Sequence, residues 1–328
     1  MSLSRAPSPS LAETGALTRR ITTLSVAVAL ILTLAKAVVW HASGSVAILA
    51  SLADSGLDVL AALTTYFAVR YAASPPDREH RFGHGKAEAF ASLTQAGLVF
   101  ATAALVGQEA VVRLLHPRPV AAEGWGLGVM ALSLALTGVL IFAQTRVLAR
   151  TRSVAVSGDR MHYAADFGSN LAAMAGIGAS ALFGVPAFDA VAGLVVAGWL
   201  VWGAVGVFRQ SSLELMDHEL GEEQRARIVA LMTEDPRVRD VHNLRTRASG
   251  PYIHIQMHAE LDPALSLVEA HQVMVAAERR VLAAYPTADM IVHPDPRGAA
   301  EPHGGSFPEV HDSTGRQNSV NGTLRRSR

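Results

Sequence analysis

The chain has 328 residues, half of them hydrophobic and only 17% charged, with a positive mean hydropathy of +0.27, a composition that fits a membrane protein carrying a soluble portion. Acidic and basic residues balance at 28 each, so nothing recommends nucleic acid as a partner. The absence of cysteine removes disulfides and thiolate ligands, so any metal site must use nitrogen and oxygen donors, and soft Cu(I) is disfavoured.

In chain order, residues 1–16 are rich in Ser, Pro and Ala and read as a disordered leader. Arg19 and Arg20 precede an apolar run over 21–40 that is too long for a signal-peptide core and lacks a small-residue cleavage site, so it predicts a first membrane helix. Lys36, near its far end, is expected to snorkel to the interface. Further membrane-length runs lie at 46–69, 87–115, 125–148, 161–183 and 187–208, making six. Lys and Arg recur in the leader, in 70–86, in 146–160 and at Arg209, whereas the other connections hold only Arg113 and Arg118. The positive-inside rule then puts both termini in the cytoplasm.

After residue 210 the pattern becomes that of a soluble domain: helix 222–233, strand 238–246, strand 252–261, helix 266–284 and strand 289–292. The expected fold is a polytopic α-helical membrane protein, with a six-helix transmembrane bundle over 17–210 and a small two-layer αββαβ cytoplasmic domain over 211–296. Residues 297–328 carry no apolar periodicity and read as a disordered tail, its His303 and His311 incidental.

The second run contains Ser51-Leu-Ala-Asp54-Ser-Gly-Leu-Asp58. Two carboxylates four apart share one helix face, where their charges repel unless a cation lies between them. Each ionised side chain at mid-membrane costs roughly 2.5 to 3.5 kcal/mol on insertion scales, so a partner is demanded. The fifth run repeats the spacing in His162-Tyr-Ala-Ala-Asp166. Facing helices could bring all four together, and three carboxylates with one imidazole suit tetrahedral Zn²⁺, whereas Mg²⁺ would prefer octahedral oxygen and water. Fe²⁺, Co²⁺ and Cd²⁺ stay open.

Asp77, His80 and His84 in the connection after the second run read either as an ordinary polar loop or as a zinc site completed by water. Gly83-His84-Gly85-Lys86 is no phosphate loop, which would need Gly at His80 and Ser or Thr at Ala87. His242, His258, His271, His293 and Asp295 are scattered through the soluble part, and each taken singly reads as a surface residue.

Together Asp54-Ser-Gly-Leu-Asp58, Asp77-Arg-Glu-His80-Arg-Phe-Gly-His84-Gly-Lys86 and His162-Tyr-Ala-Ala-Asp166 resemble the cation diffusion facilitator family, in particular its bacterial zinc and iron exporters. The resemblance runs from about residue 17 to Pro296. It implies a homodimer in a bacterial-type inner membrane, with a metallochaperone-like cytoplasmic domain. It also implies export of divalent metal from the cytoplasm in exchange for protons, Zn²⁺ first with Fe²⁺ and Cd²⁺ behind it, and no prosthetic group. The transport site it implies is Asp54, Asp58, His162 and Asp166. Asp77, His80 and His84 match a second metal site, and His242, His258, His271, His293 and Asp295 match a two-metal site at the dimer contact. Lys86 and Asp217 match a charged interlock near the membrane–cytoplasm boundary of the dimer. His254 shares a strand face with His258 but falls outside the pattern.

Two other classes compete. A membrane-embedded metalloenzyme would need an activated water and a substrate motif, and the chain has neither an H-E-x-x-H pair nor a nucleophile elbow. A passive cation channel would want a ring or carbonyl filter of weak sites, which a compact four-ligand set does not resemble.

Overall fold

The computed structural model describes residues 11–44, 46–116, 124–183 and 187–298. Most of the expected leader, and the expected tail from residue 299 with His303 and His311, lie outside the described residues. Among the described residues, six long helices come first: α1 (Leu11–Ser43), α2 (Val46–Ala72), α3 (Ala87–Leu115), α4 (Gly124–Thr151), α5 (Val154–Phe183) and α6 (Ala187–Leu215). They are followed by α7 (Glu222–Met232), β1 (Val238–Ser249), β2 (Tyr252–Leu261), α8 (Leu267–Ala284) and β3 (Ala288–Pro296). The chain divides into two compact units, one reaching to Met216 and including 249–251, the other formed by the rest from Asp217 onward.

All the long helices except α5 are long and apolar enough to cross a membrane. α5 is 30 residues long but carries Asp159, Arg160, His162 and Asp166 in its first half. Its position explains how a membrane protein tolerates it. One apolar cluster joins Ile21, Val28 and Leu32 of α1 to Leu140 of α4 and to Val156 and Tyr163 of α5. A second joins Val99 and Ala103 of α3, Ala165 of α5, and Leu200 and Ala204 of α6. A third joins Val69 of α2, Ala91 of α3 and Ala155 of α5. α5 enters all three, so it lies inside the bundle, where charged groups find partners other than lipid. The outward faces carry Leu34, Val38, Leu60, Phe67, Val139 and Trp202, all exposed, as lipid-facing surfaces require.

Small residues let the helices approach closely. A Cβ at Gly193 of α6 would lie 3.0 Å from the Cβ of Ala110 of α3, and one at Gly158 of α5 would lie 3.0 Å from the Cα of Ser92 of α3. Polar side chains add cross-links: Gln95 Nε2 donates to the carbonyl of Ala61 at 2.9 Å and to Thr65 Oγ1 at 3.0 Å.

The helices run past the apolar runs that announced them, since hydropathy marks only the hydrocarbon layer. α1 starts at Leu11, inside the stretch expected to be a leader, and α6 continues to Leu215 rather than ending at 210. The basic connection expected over 146–160 shrinks to Arg152 and Ser153, because α4 continues to Thr151 and α5 begins at Val154. Ser153 caps the new start, its Oγ accepting from the N–H of Val156 at 3.3 Å. Arg70 and Arg146 lie over the rings of Tyr66 and Phe142, 4.2 and 4.3 Å from the centroids.

In the second unit the three strands form one sheet in the order β1-β2-β3, with β2 and β3 parallel. Ile255, Met257, Ala259 and Leu261 alternate along β2 into a core shared with Ile228 and Met232 of α7 and with Val273, Met274, Ala277 and Val281 of α8. The helices therefore cover one face, and the even-numbered positions of β2, His254 and His258 among them, belong to the other. Along β1 the inward alternation slips beside Asn243, whose φ is 54°. α8 opens with a capping box between Ser266 and Glu269.

Candidate metal centre

α2 and α5 each offer two of the expected ligands one turn apart, and the tertiary packing decides which converge. His162 Nε2 lies 3.2 Å from Asp58 Oδ1 across the two helices and 3.9 Å from Asp166 Oδ2 along its own. Ligand atoms of Asp58, His162 and Asp166 all fall within 4.8 Å of one another. Asp54 stands outside this trio, but with Asp58 and Asp166 it lines a cavity of about 240 Å³. Such a volume is ample for a cation with several waters. His162 Nδ1 is buried with no hydrogen-bond partner among the described residues.

Two residues of this region were not recognised in the sequence as part of it. Lys36 does not snorkel: its Nζ donates to the carbonyl of Ser51 at 3.2 Å and to Ser55 Oγ, and it lines the same cavity. A membrane interior rewards an ammonium for turning toward acceptors on α2 rather than along a lipid-facing wall. Asp159, one turn before His162 on α5, is fully buried, its Oδ2 accepting from Ser25 Oγ at 2.6 Å and from Gln144 Nε2 at 2.8 Å. Tyr163 donates its hydroxyl to the carbonyl of Ser25 at 2.8 Å. The three-residue spacing from Asp159 to His162 was the available signal.

In the connection between α2 and α3, Asp77 gathers both loop histidines. Asp77 Oδ2 is 3.3 Å from His84 Nε2 and Asp77 Oδ1 is 3.4 Å from His80 Nδ1, the two rings 4.7 Å apart. The loop folds this way because Asp77 Oδ1 accepts the backbone N–H groups of Glu79 and His80, at 2.9 and 2.6 Å. The bond from His80 N–H, with that from Glu79 behind it, holds the Asp77 carboxyl below the usual carboxylate range. His84 is buried, and its Nδ1 has no hydrogen-bond partner among the described residues.

In the second unit three histidines from three strands converge on Asp295, itself buried. His258 Nδ1 is 2.9 Å and His242 Nε2 is 3.2 Å from Asp295 Oδ2, and His293 Nε2 is 3.2 Å from Asp295 Oδ1. The parallel register that pairs His258 with His293 sets their rings 4.9 Å apart, tilted by 43°. Ligand atoms of His242, His258 and Asp295 all lie within 4.8 Å of one another; His293 meets Asp295 from outside that trio, and His271 lies on α8. His254 keeps apart: its Nδ1 lies 3.4 Å from Asp289 Oδ2, and burial, helped by the charge of Arg247, pushes its pKa down. Lys86 Nζ donates to the carbonyl of Leu215 at 3.3 Å, and Asp217 accepts from Arg247 Nη1 at 3.1 Å.

Each of the three clusters combines carboxylate oxygen with imidazole nitrogen, a donor set suited to Zn²⁺ and its neighbours in the first transition row. In each, one buried Nδ1 (His162, His84 or His242) lacks a hydrogen-bond partner among the described residues. An unmade bond of this kind costs about 1–3 kcal/mol.

Long apolar helices around an acidic and imidazole-bearing interior, followed in the chain by a histidine-rich second unit, fit a membrane transporter of cations. The comparisons with known proteins agree. A family model described as the cation efflux transmembrane domain matches residues 22–216, and another, described as the cation efflux protein cytoplasmic domain, matches 220–297. The cation-efflux pump FieF of Shewanella oneidensis is 40% identical over 272 residues, 83% of this chain and 92% of its own. The cation-efflux pump FieF of Salmonella arizonae is 37% identical over 282 residues, 86% of this chain and 94% of its own. The chain belongs to the cation diffusion facilitator family. It is an integral membrane transporter, not an enzyme, and its cargo is metal cation.

Proposed function

We propose that the chain exports divalent transition metal, Zn²⁺ first with Fe²⁺ and Cd²⁺ as further cargo, in exchange for protons through a site made of Asp54, Asp58, His162 and Asp166. The observation that carries this is the approach of Asp58, His162 and Asp166 to one another, with Asp54, Asp58 and Asp166 lining one cavity. The names of its relatives, cation-efflux pumps, support the direction of transport. With both termini in the cytoplasm, as the positive-inside pattern indicates, metal would enter this site from the cytoplasmic side.

A coupling ion is required on energetic grounds. A divalent ion leaving a cytoplasm about 100 mV negative climbs roughly 4.6 kcal/mol, at about 2.3 per elementary charge. Carboxylates and imidazole bind metal only when deprotonated, so protons compete for the same donors and can displace the metal outward. The loop set Asp77, His80 and His84 serves in this reading as a second metal site, and the cytoplasmic set His242, His258, His293 and Asp295, with His271 as an outlying candidate, as a metal-responsive contact between two copies. Lys86 and Asp217 would lock that dimer near the membrane boundary.

The test is flux of Zn²⁺ in proteoliposomes under an imposed pH gradient. Zn²⁺ should move toward the acidic compartment, and its movement should produce an opposite pH change. Flux indifferent to the gradient, with no proton counterflow, would establish a passive channel instead.

A further inference from the structure

Lys36 is a basic side chain placed at a cation site, which at first sight opposes the task. It reaches from α1 to α2, where its Nζ is held by the carbonyl of Ser51 and by Ser55 Oγ. Ser55 directly follows Asp54, and Ser55 itself is buried. On the α1 side the helix is anchored to the same turn by Thr33, whose Oγ1 donates to the carbonyl of Ser55 at 3.2 Å. Lys36, Ser51, Asp54, Ser55, Asp58 and Asp166 all line the one cavity. An ammonium has three donors and no lone pair, so it cannot ligate a metal. What it supplies is a tethered charge.

The charge count gives that tether a purpose. Asp54, Asp58 and Asp166 carry three negative charges when ionised, and a divalent ion with neutral His162 leaves one in excess. In a medium of low dielectric one excess charge is costly and holds the ion hard. A fixed positive charge beside Asp54 cancels it.

We infer that Lys36 is a positioning residue that sets the affinity of the transport site: its ammonium offsets the one negative charge left in excess when Asp54, Asp58, His162 and Asp166 hold a divalent cation, so that the cation is bound loosely enough to be released. This rests on the reading of Asp54, Asp58, His162 and Asp166 as the transport site. Removing the charge should tighten binding and slow release together, a pattern that loss of packing does not produce.

The experiment measures Zn²⁺ transport by the full chain in proteoliposomes for wild type, Lys36→Met, Lys36→Gln and Lys36→Arg, with Asp58→Ala alongside. Lys36→Met should lower KM by tenfold or more, since tenfold is about the least that one elementary charge near a divalent ion is worth once the dielectric falls below that of bulk water, and should lower kcat in parallel. Lys36→Gln keeps an N–H donor, on a chain one atom shorter, but has no charge, so it should follow Lys36→Met, whereas Lys36→Arg should recover most of the shift. If Lys36→Met yields no folded protein, Lys36→Gln carries the same test. Uncharged variants with wild-type KM and kcat, or with a raised KM, overturn the inference, as does Lys36→Gln behaving as wild type while Lys36→Met does not. If Asp58→Ala transports normally, the site reading itself fails; if it is inactive while the uncharged Lys36 variants match wild type, only the role of Lys36 fails.

Discussion

His162 Nε2 stands 3.2 Å from Asp58 Oδ1, a contact between residues 104 positions apart that ties α5 to α2 inside the bundle. Imidazole and carboxylate at that distance satisfy one another in the absence of metal and are both available to a cation that enters between them. Asp58→Ala is therefore expected to reduce Zn²⁺ flux by about a hundredfold or more, since even outer-shell losses at metal sites cost 10–100-fold. The protein should remain folded, because the change also removes a charge from the membrane interior. Flux in liposomes beside size-exclusion of the purified variant checks both parts; flux at the wild-type rate would refute the assignment.

His162→Asp would make the same site all-oxygen, and harder ions should gain. The Mn²⁺ to Zn²⁺ transport ratio should rise by an order of magnitude, about what one exchanged ligand is worth. An unchanged ratio in competition flux would remove His162 from the ligand set.

Asp295 is the point on which His242, His258 and His293 converge. Asp295→Ala should weaken Zn²⁺ binding to this unit by at least about tenfold while leaving transmembrane selectivity intact. Spin labels on two copies of the full chain should show a Zn²⁺-dependent distance change in the wild type and a much smaller one in the variant. Identical distributions with and without Zn²⁺ in the wild type would exclude metal-responsive association.

Asp235 gives a pH dependence of known sign. Its carboxylate accepts from Arg237 Nη2 at 2.7 Å and from the Arg237 backbone N–H at 3.0 Å, which lowers its pKa from 3.8 to about 2. A depressed carboxyl stabilises the fold fully above its unfolded value and loses that contribution as pH falls through the folded one. The unfolding temperature of Asp235→Asn should thus lie below that of the wild type at pH 6, and the gap should close between about pH 4 and pH 2. A gap that stays constant across that window would show that Asp235 acts through something other than its charge.

Gly158 is where α5 meets α3. An added Cβ would lie 2.9 Å from Ser92 Oγ, 3.0 Å from Ser92 Cα and 3.1 Å from Gln95 Cβ, contacts that backbone cannot relieve without moving a helix. Gly158→Ala should destabilise the protein by about 1–3 kcal/mol as an overpacked interface does, visible as a lower unfolding temperature in detergent. Gly56, with nothing within 4 Å of an added Cβ, is the control position, and a Gly56→Ala protein unfolding at the same reduced temperature would assign the loss to some other cause.

Sequence alone determined the periodic features: six long helices, a soluble αββαβ unit behind them, and pairs of ligand-type residues four apart on α2 and α5. Those follow from the 1.5 Å rise of a helix and the cost of polar groups in lipid, which act on each segment independently. Spacing says which residues share a face but not which way that face turns, so only the packing of α1, α2 and α5 decided that Asp58 rather than Asp54 reaches His162. The same packing turned Lys36 inward to Ser51 and Ser55, and surrounded Asp159 with Ser25 and Gln144. Helix ends escape the sequence for a related reason: hydropathy fades at the headgroups, while backbone hydrogen bonding carries α5 back to Val154 and α6 on to Leu215. In the second unit the strands were visible, but the gathering of His242, His258 and His293 on Asp295, with His271 left outside the group, depended on the parallel register of β2 with β3, which no single strand encodes.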